Sequence, residues 1–197
     1  MTPALLAAYA EPHRRYHTLA HVEDCLARLG EVEGLSAAER RVLELAVWWH
    51  DAVYDPTRSD NEERSAELAE RDLVALGEPE EVRAEVARLV RLTKGHEVEA
   101  DDRLGAVLVS IDLSILGAAP DDYDRYAAQV REEYGFVPDD AFRAGRAAVL
   151  RRFLDAGAIY PDAAFGARHE APARANIARE LAALSDGRPS GPLRPAS

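Results

Sequence analysis

The chain has 197 residues, of which 47% are hydrophobic and 30% charged, and its formal net charge is −12. These values are typical of one globular domain with a substantial core. An acidic chain lacks the basic footprint that binding to duplex nucleic acid requires, so we expect no such partner. A small anionic substrate can still bind where a metal ion outweighs the overall negative field.

Cysteine usage and the N-terminus favour a cytoplasmic protein. Cys25 is the only cysteine, which excludes an intramolecular disulfide and a thiolate zinc cluster and agrees with a reducing compartment. The first 15 residues place no basic region before their short apolar run, and nowhere do 18 apolar residues follow one another. The sequence therefore predicts a cytoplasmic location without membrane association and leaves homo-oligomerisation open.

Apolar residues recur at spacings of three and four along most of the chain, which predicts helices rather than strands. Ser36 followed by Glu39 is a capping-box pattern, and Asp60 or Asn61 is the predicted N-cap of the next helix. Gly77 is typical of a helix end. The predicted helices cover 18–31, 36–54, 59–77, 78–96, 101–117, 120–135, 138–157 and 171–185.

The stretch 101–117 contains enough β-branched residues to suggest a strand, but its length and apolar spacing favour a buried helix. We therefore predict an all-α bundle of about eight helices in a single domain over residues 1–185. The last residues, 186–197, are rich in proline, glycine and serine, which predicts a disordered tail.

Several histidines and carboxylates fall in the apolar helices. His50 and Asp51 follow two tryptophans near the end of the second helix, and Asp112 lies in the most hydrophobic segment. Burial of an unpaired carboxylate there would cost several kcal/mol, so Asp112 should have a cationic or donor partner. His17 and His21 lie four residues apart and share one helical face.

Imidazole nitrogens and carboxylate oxygens together suit a divalent first-row metal ion. His21, His50, Asp51 and Asp112 would supply two nitrogens and two carboxylates and leave positions open for water and substrate, as a hydrolytic metal requires. We expect one divalent ion, which could be Mn, Fe, Co, Ni, Zn or Mg. The alternative is that these residues are hydrogen-bonded members of the core.

Five motifs in chain order resemble the HD-domain superfamily of metal-dependent phosphohydrolases, most closely a bacterial subgroup of small, stand-alone HD proteins. The resemblance implies a helical bundle with a central metal site, in which His21 is the first ligand, His50 and Asp51 are the adjacent pair and Asp112 is the last. It extends to the C-terminal segments IYPDAAF and ARANIAREL. The five motifs are YHTLAHV, WWHDAVYDP, NEERSAELA, LTKGHE and SIDLSILG.

Other residues are candidates for binding the substrate. His17 is the alternative first ligand, and otherwise it would line the substrate cavity. His96 would face the substrate or, as in binuclear branches of the superfamily, bind a second metal ion; a single ion is our prediction. Lys94 and Arg15 could neutralise phosphate charge, and surface ion pairing is their alternative role.

The expected reaction is hydrolysis of a small phosphorylated metabolite, such as a nucleotide, by metal-activated water. Asp55 and Glu62 are the candidate general base or acid. Their alternatives are a turn residue for Asp55 and a helix-dipole contact for Glu62. Two other functions stay open: a non-catalytic nucleotide-binding or regulatory module, and a di-metal oxygenase, which would need more histidine ligands.

Overall fold

The computed structural model describes residues 2–186. Over these residues the chain forms helices and no strand, which confirms the predicted all-α class. No single described helix is long and apolar enough to cross a membrane; one bent pair, 103–117 with 120–133, reaches that length and composition together. The helices are α1 Pro3–Ala8, α2 Leu19–Gly30, α3 Ala37–Trp49, α4 Asn61–Ala75, α5 Glu80–Leu92, α6 Arg103–Asp112, α7 Pro120–Glu133, α8 Asp139–Asp155 and α9 Ala163–Ser185, with a 3₁₀ helix Leu113–Gly117 after α6.

The described residues divide into two compact units, one ending at Asp112 and the other beginning at Leu113. The first unit contains α1 to α6, and the second contains the 3₁₀ helix and α7 to α9. Compactness does not decide whether the units fold separately, so a single domain over 1–185 stays a prediction. The disordered tail predicted over 186–197 lies, beyond Asp186, outside the described residues.

Helix α3 is the central element of the first unit and packs against α2, α4, α5 and α6. Its side chains Leu43, Val47 and Trp49 are completely buried. The predicted capping box fixes its start, because Ser36 Oγ accepts from the Glu39 backbone and the Glu39 carboxylate accepts from the Ser36 backbone. The other end of α3, at the buried Trp49, lies in the interior of the unit.

Helix α3 ends at Trp49, five residues before its predicted end. The guanidinium of Arg14 donates to the backbone carbonyls of Asp51 and Ala52 at 2.7 and 3.2 Å. These bonds tie the chain that follows α3 to Arg14. His50 is the C-cap of α3.

Helix α6 begins beside Asp102, whose carboxylate accepts several hydrogen bonds. Asp102 accepts from the Gly105 backbone at 2.9 Å and from the Arg88 guanidinium of α5 at 2.6 and 3.0 Å. A side chain at Gly105 would collide with the Asp102 carboxylate, so glycine permits this close approach. The helix runs to Asp112, where a 3₁₀ helix replaces the last part of the predicted helix.

In the second unit, α9 packs against the 3₁₀ helix and α8. It starts at Ala163, eight residues before the predicted start, because the Asp162 side chain accepts from the Phe165 backbone at 2.8 Å and caps it. Pro172 lies inside α9, although proline removes a helix hydrogen bond. Before the proline, the Glu170 carboxylate accepts from two backbone N–H groups of the preceding loop, which anchors the helix.

Candidate metal site

Four predicted ligands lie close together in the first unit: donor atoms of His21, His50 and Asp51 lie within 4.8 Å of one another, and Asp112 contacts both imidazoles. Helix α2 contributes His21, the end of α3 contributes His50 and Asp51, and α6 ends with Asp112. Nε2 of His21 lies 3.1 Å from Nε2 of His50 and 3.2 Å from Oδ1 of Asp112. Oδ2 of Asp51 lies 3.1 Å from His50 Nε2 and 3.8 Å from His21 Nε2. We call these four side chains the donor cluster.

The separations within the donor cluster fit a divalent ion. Zinc binds histidine nitrogen and carboxylate oxygen at about 2.0–2.2 Å. Two ligand atoms about 2.1 Å from one ion are about 3.0 Å apart at a right angle and about 3.4 Å apart at the tetrahedral angle. The measured pairs lie between 3.1 and 3.8 Å. The structure thus brings together a His/Asp cluster that could hold a metal ion.

The donor cluster has a closed side and an open side. The side chains of His21 and His50 are 3% and 2% exposed, whereas those of Asp51 and Asp112 are 20% and 14% exposed. The imidazoles therefore form the inner wall, and solvent reaches the cluster from the carboxylate side. A bound ion would keep contact with water and substrate on that side.

A backbone carbonyl fixes the orientation of the His50 ring. Its Nδ1 lies 2.8 Å from the carbonyl oxygen of Val47, one turn earlier in α3. A carbonyl can only accept, so Nδ1 carries the hydrogen and, in the neutral ring, Nε2 turns its lone pair to the donor cluster. This is the usual second contact of a metal-ligating histidine.

The electrostatics of the donor cluster favour ionised carboxylates and a positive centre. Burial lowers the pKa of His50, but the charge of Asp51 and hydrogen bonds with Asp112 and Asp51 outweigh it and raise that pKa well above its usual value. Burial raises the pKa of Asp112, yet hydrogen bonds with the neighbouring imidazoles hold it well below its usual range. The pKa of Asp51 is lowered in the same way, against burial, by the charge and hydrogen bond of His50.

His96 contacts the edge of the donor cluster. Its Nε2 lies 3.1 Å from Asp112 Oδ2, the oxygen opposite the one that faces His21. Its backbone φ is 57°, in the left-handed region that costs a non-glycine residue about 1 kcal/mol or more. The sequence predicted His96 as a substrate or second-metal residue; in the structure it bonds to a predicted ligand.

The remaining predicted substrate residues lie outside the donor cluster. The His17 ring stacks on Tyr54 at a centroid distance of 4.2 Å and lies 6.1 Å from the His21 ring. Arg15 donates to two neighbouring backbone carbonyls, and Lys94 Nζ donates to one in the loop before α4 at 2.8 Å. Of these three residues, His17 is therefore the one whose side chain borders the donor cluster.

The two carboxylates predicted to transfer protons have different surroundings. Oδ1 of Asp55 accepts from the backbone and the hydroxyl of Thr57 at 2.9 and 2.6 Å, and these bonds lower the pKa of Asp55. Such bonds are typical of a turn residue. Glu62 is half-buried in the first turn of α4 and makes no hydrogen bond or ion pair within residues 2–186.

Arg14 supports the donor cluster and was not singled out from the sequence. Its completely buried side chain donates to the carbonyls of Asp51 and Ala52, and its guanidinium lies 5.1 and 5.4 Å from the rings of Tyr9 and Tyr54. Two adjacent arginines were visible in the sequence, but nothing distinguished the buried one from the exposed one.

Two polar residues of α4 also hold the chain that follows the donor cluster. The Asn61 side chain donates to the Asp55 carbonyl at 2.8 Å and accepts from the Asp55 backbone at 3.1 Å. Ser65 Oγ accepts from the Val53 backbone at 2.9 Å. The four-residue spacing, which places both on one helix face, was the available sequence signal.

Comparison of the chain with protein-family models, curated proteins and solved structures gives no match. The structure itself shows an all-helical chain, over the described residues, with a His/Asp cluster that could hold a metal ion.

Proposed function

We propose that the chain is a metal-dependent phosphohydrolase of the HD-domain type that acts on a small phosphorylated metabolite, such as a nucleotide. The observation that carries the proposal is that the imidazoles of His21 and His50 each have Nε2 within 3.8 Å of one carboxylate oxygen of Asp51 and one of Asp112, at a partly open position. The order of these residues along the chain, on separate helices, is also the order that the resemblance to HD proteins implies.

A divalent ion in this cluster would acidify a water molecule and polarise a phosphoryl oxygen. His21 and His50 would hold the ion from the buried side, and Asp51 and Asp112 would balance its two positive charges. A site neutralised in this way does not repel an anionic phosphate as the uncompensated carboxylates would. His96 holds Asp112 through its second oxygen.

Proton transfer in the proposed reaction falls to Glu62 rather than Asp55. The Asp55 carboxylate is engaged by Thr57, and its lowered pKa makes it a weaker base. The Glu62 carboxylate makes no competing hydrogen bond among the described residues. It would accept the proton of the attacking water or return it to the leaving group.

The test begins with the metal content of the purified protein and a phosphate-release screen. Phosphorylated metabolites are assayed with Mn²⁺, Fe²⁺, Co²⁺, Ni²⁺, Zn²⁺ or Mg²⁺. We expect one ion per chain and turnover of at least one nucleotide or sugar phosphate. His50→Ala and Asp51→Asn should weaken metal binding by more than about a hundredfold, since even second contacts of ligands contribute 10- to 100-fold.

His169→Ala is the matched control, because it removes an imidazole from α9, in the other unit. The proposal is wrong if neither ligand variant changes metal content or phosphate release. Tight nucleotide binding without turnover would instead indicate the non-catalytic regulatory module.

A further inference from the structure

Cys25 lies against the donor cluster. It follows His21 by one turn of α2, and its Sγ is 3.8 Å from His21 Nδ1 and 3.9 Å from Nε2. The thiol is 1% exposed and donates to the backbone carbonyl of Ile111 at 3.8 Å. Donor atoms of His21, Cys25 and Asp112 all lie within 4.8 Å of one another.

We infer that Cys25 is an alternative metal ligand. With His21 and Asp112 it forms a second, sulfur-containing ligand set that binds thiophilic ions such as Cd²⁺. This inference rests on the metal site of the proposed function and adds a ligand to it. Ions that prefer oxygen, such as Mn²⁺ and Mg²⁺, gain little from a thiolate and would use the carboxylates and imidazoles instead. The identity of the ion thus decides which side chains coordinate it.

The geometry permits sulfur ligation with small movements. Zinc binds thiolate sulfur at about 2.3 Å and imidazole nitrogen at about 2.1 Å, so the two atoms are about 3.6 Å apart at the tetrahedral angle and at most about 4.4 Å apart. The 3.9 Å between Sγ and His21 Nε2 lies within this range. The helix supports it, because residues four apart share one face.

Coordination by Cys25 changes only protonation. The S–H bond breaks, its proton passes to solvent, and the sulfur electron pair forms the bond to the ion; nothing is oxidised or reduced. One thiolate and the Asp112 carboxylate then balance the two charges of the ion.

Absorption spectroscopy of the Cd²⁺ or Co²⁺ protein tests the inference. Because Cys25 is the only cysteine in the chain, an ultraviolet band from thiolate-to-metal charge transfer can arise only from this residue. We expect the band to appear with one equivalent of ion, to be lost in Cys25→Ser and to persist in His50→Ala. The ratio of Cd²⁺ to Mn²⁺ affinity should fall at least about tenfold in Cys25→Ser.

Cys25→Ala provides a second variant if serine disturbs the buried position, and circular dichroism checks that each variant folds. Cd²⁺ bound without a thiolate band, or with an unchanged affinity ratio in both variants, would overturn the inference. The readout does not depend on turnover. A band without any phosphohydrolase activity would leave Cys25 as a ligand and reject the proposed function, and Mn²⁺-dependent hydrolysis without the band would do the reverse.

Discussion

The two units each bury a polar cluster, and the two clusters differ in how their charge is balanced. In the second unit the Arg146 guanidinium donates to both oxygens of Glu180 at 2.9 and 3.1 Å, and the Tyr123 hydroxyl donates to the same carboxylate at 2.5 Å. In the first unit the carboxylates of Asp51 and Asp112 face imidazoles, which are cations only when protonated.

This difference separates a structural cluster from a binding cluster. The side chains of Arg146 and Glu180 are 9% and 6% exposed, and hydrogen bonds and nearby charges raise the pKa of Arg146 well above its usual value although burial lowers it. The cation is therefore permanent, and the cluster is complete in itself. The carboxylates of the donor cluster contact imidazoles, so an added ion could supply a lasting positive charge there.

The largest change in the free energy of unfolding should come from disrupting the cluster of Arg146, Glu180 and Tyr123. Glu180→Leu leaves the buried Arg146 without its carboxylate and should lower the free energy of unfolding by about 3–5 kcal/mol. Urea denaturation measures the change. The double variant with Arg146→Met should recover much of the loss; a single variant within about 1 kcal/mol of the wild type would contradict the structural role.

Metal addition should stabilise the incomplete cluster by a somewhat smaller amount. An ion present at a hundred times its Kd adds about 2.7 kcal/mol to the free energy of unfolding, because it binds the folded state. Urea denaturation with metal and with chelator measures this difference. In Asp112→Asn the same ion concentration should add little, and equal stabilisation of both proteins would place the ion elsewhere.

Arg14 allows a comparison of neighbours that carry the same charge. Arg14→Met removes a buried cation from three backbone carbonyls and should lower the free energy of unfolding by about 2 kcal/mol, in the range for hydrogen bonds from charged groups. Arg15→Met, at an exposed position, should change it by less than about 0.5 kcal/mol. Thermal or urea unfolding of both variants measures the two changes in the free energy of unfolding. Equal changes would refute the distinction between the buried Arg14 and the exposed Arg15.

Loss of the partly exposed pair between Arg88 and Asp102 should lower the free energy of unfolding by less than loss of the buried Arg14 does. Asp102→Ala removes a helix cap and should lower the free energy of unfolding by about 1 kcal/mol at pH 7. Hydrogen bonds from Arg88, and less strongly from Gly105, outweigh burial and lower the pKa of Asp102. The ionised Asp102 therefore contributes fully to stability above the ordinary carboxyl pKa of about 3.9. This contribution is lost as the pH falls through the lower pKa of the folded state. A stability difference independent of pH would show that the charge contributes nothing.

Local rules predicted the helices well where the determinants were local. Ser36 and Glu39 mark the start of α3, and Gly77 follows the end of α4 with a φ of 76°. The predicted end of α3 was five residues too late: Pro56 is a local signal for a helix end nearby, whereas the bonds from Arg14 to the carbonyls after α3 come from a residue distant in sequence. The predicted start of α9 was eight residues too late, because the helix begins at the Asp162 cap and continues through Pro172.

The convergence of the donor cluster could be anticipated only in outline. Residue types and helix periodicity indicated which side chains could bind a metal, but the distances depend on the packing of α2, α3 and α6. The bond between His96 and Asp112 requires a left-handed backbone at His96, which no local pattern signals. The support from Asn61 and Ser65 likewise depends on where α4 packs.

The position of Asp112 at the end of its unit has a consequence for biosynthesis. Its carboxylate lies against His21, 91 positions earlier in the chain. At about 5–20 residues per second, a nascent chain that has exposed His21 waits about 5–20 s before Asp112 is made. The complete donor cluster therefore forms only after the whole first unit has been synthesised, and an ion that needs all four side chains could bind only from then on.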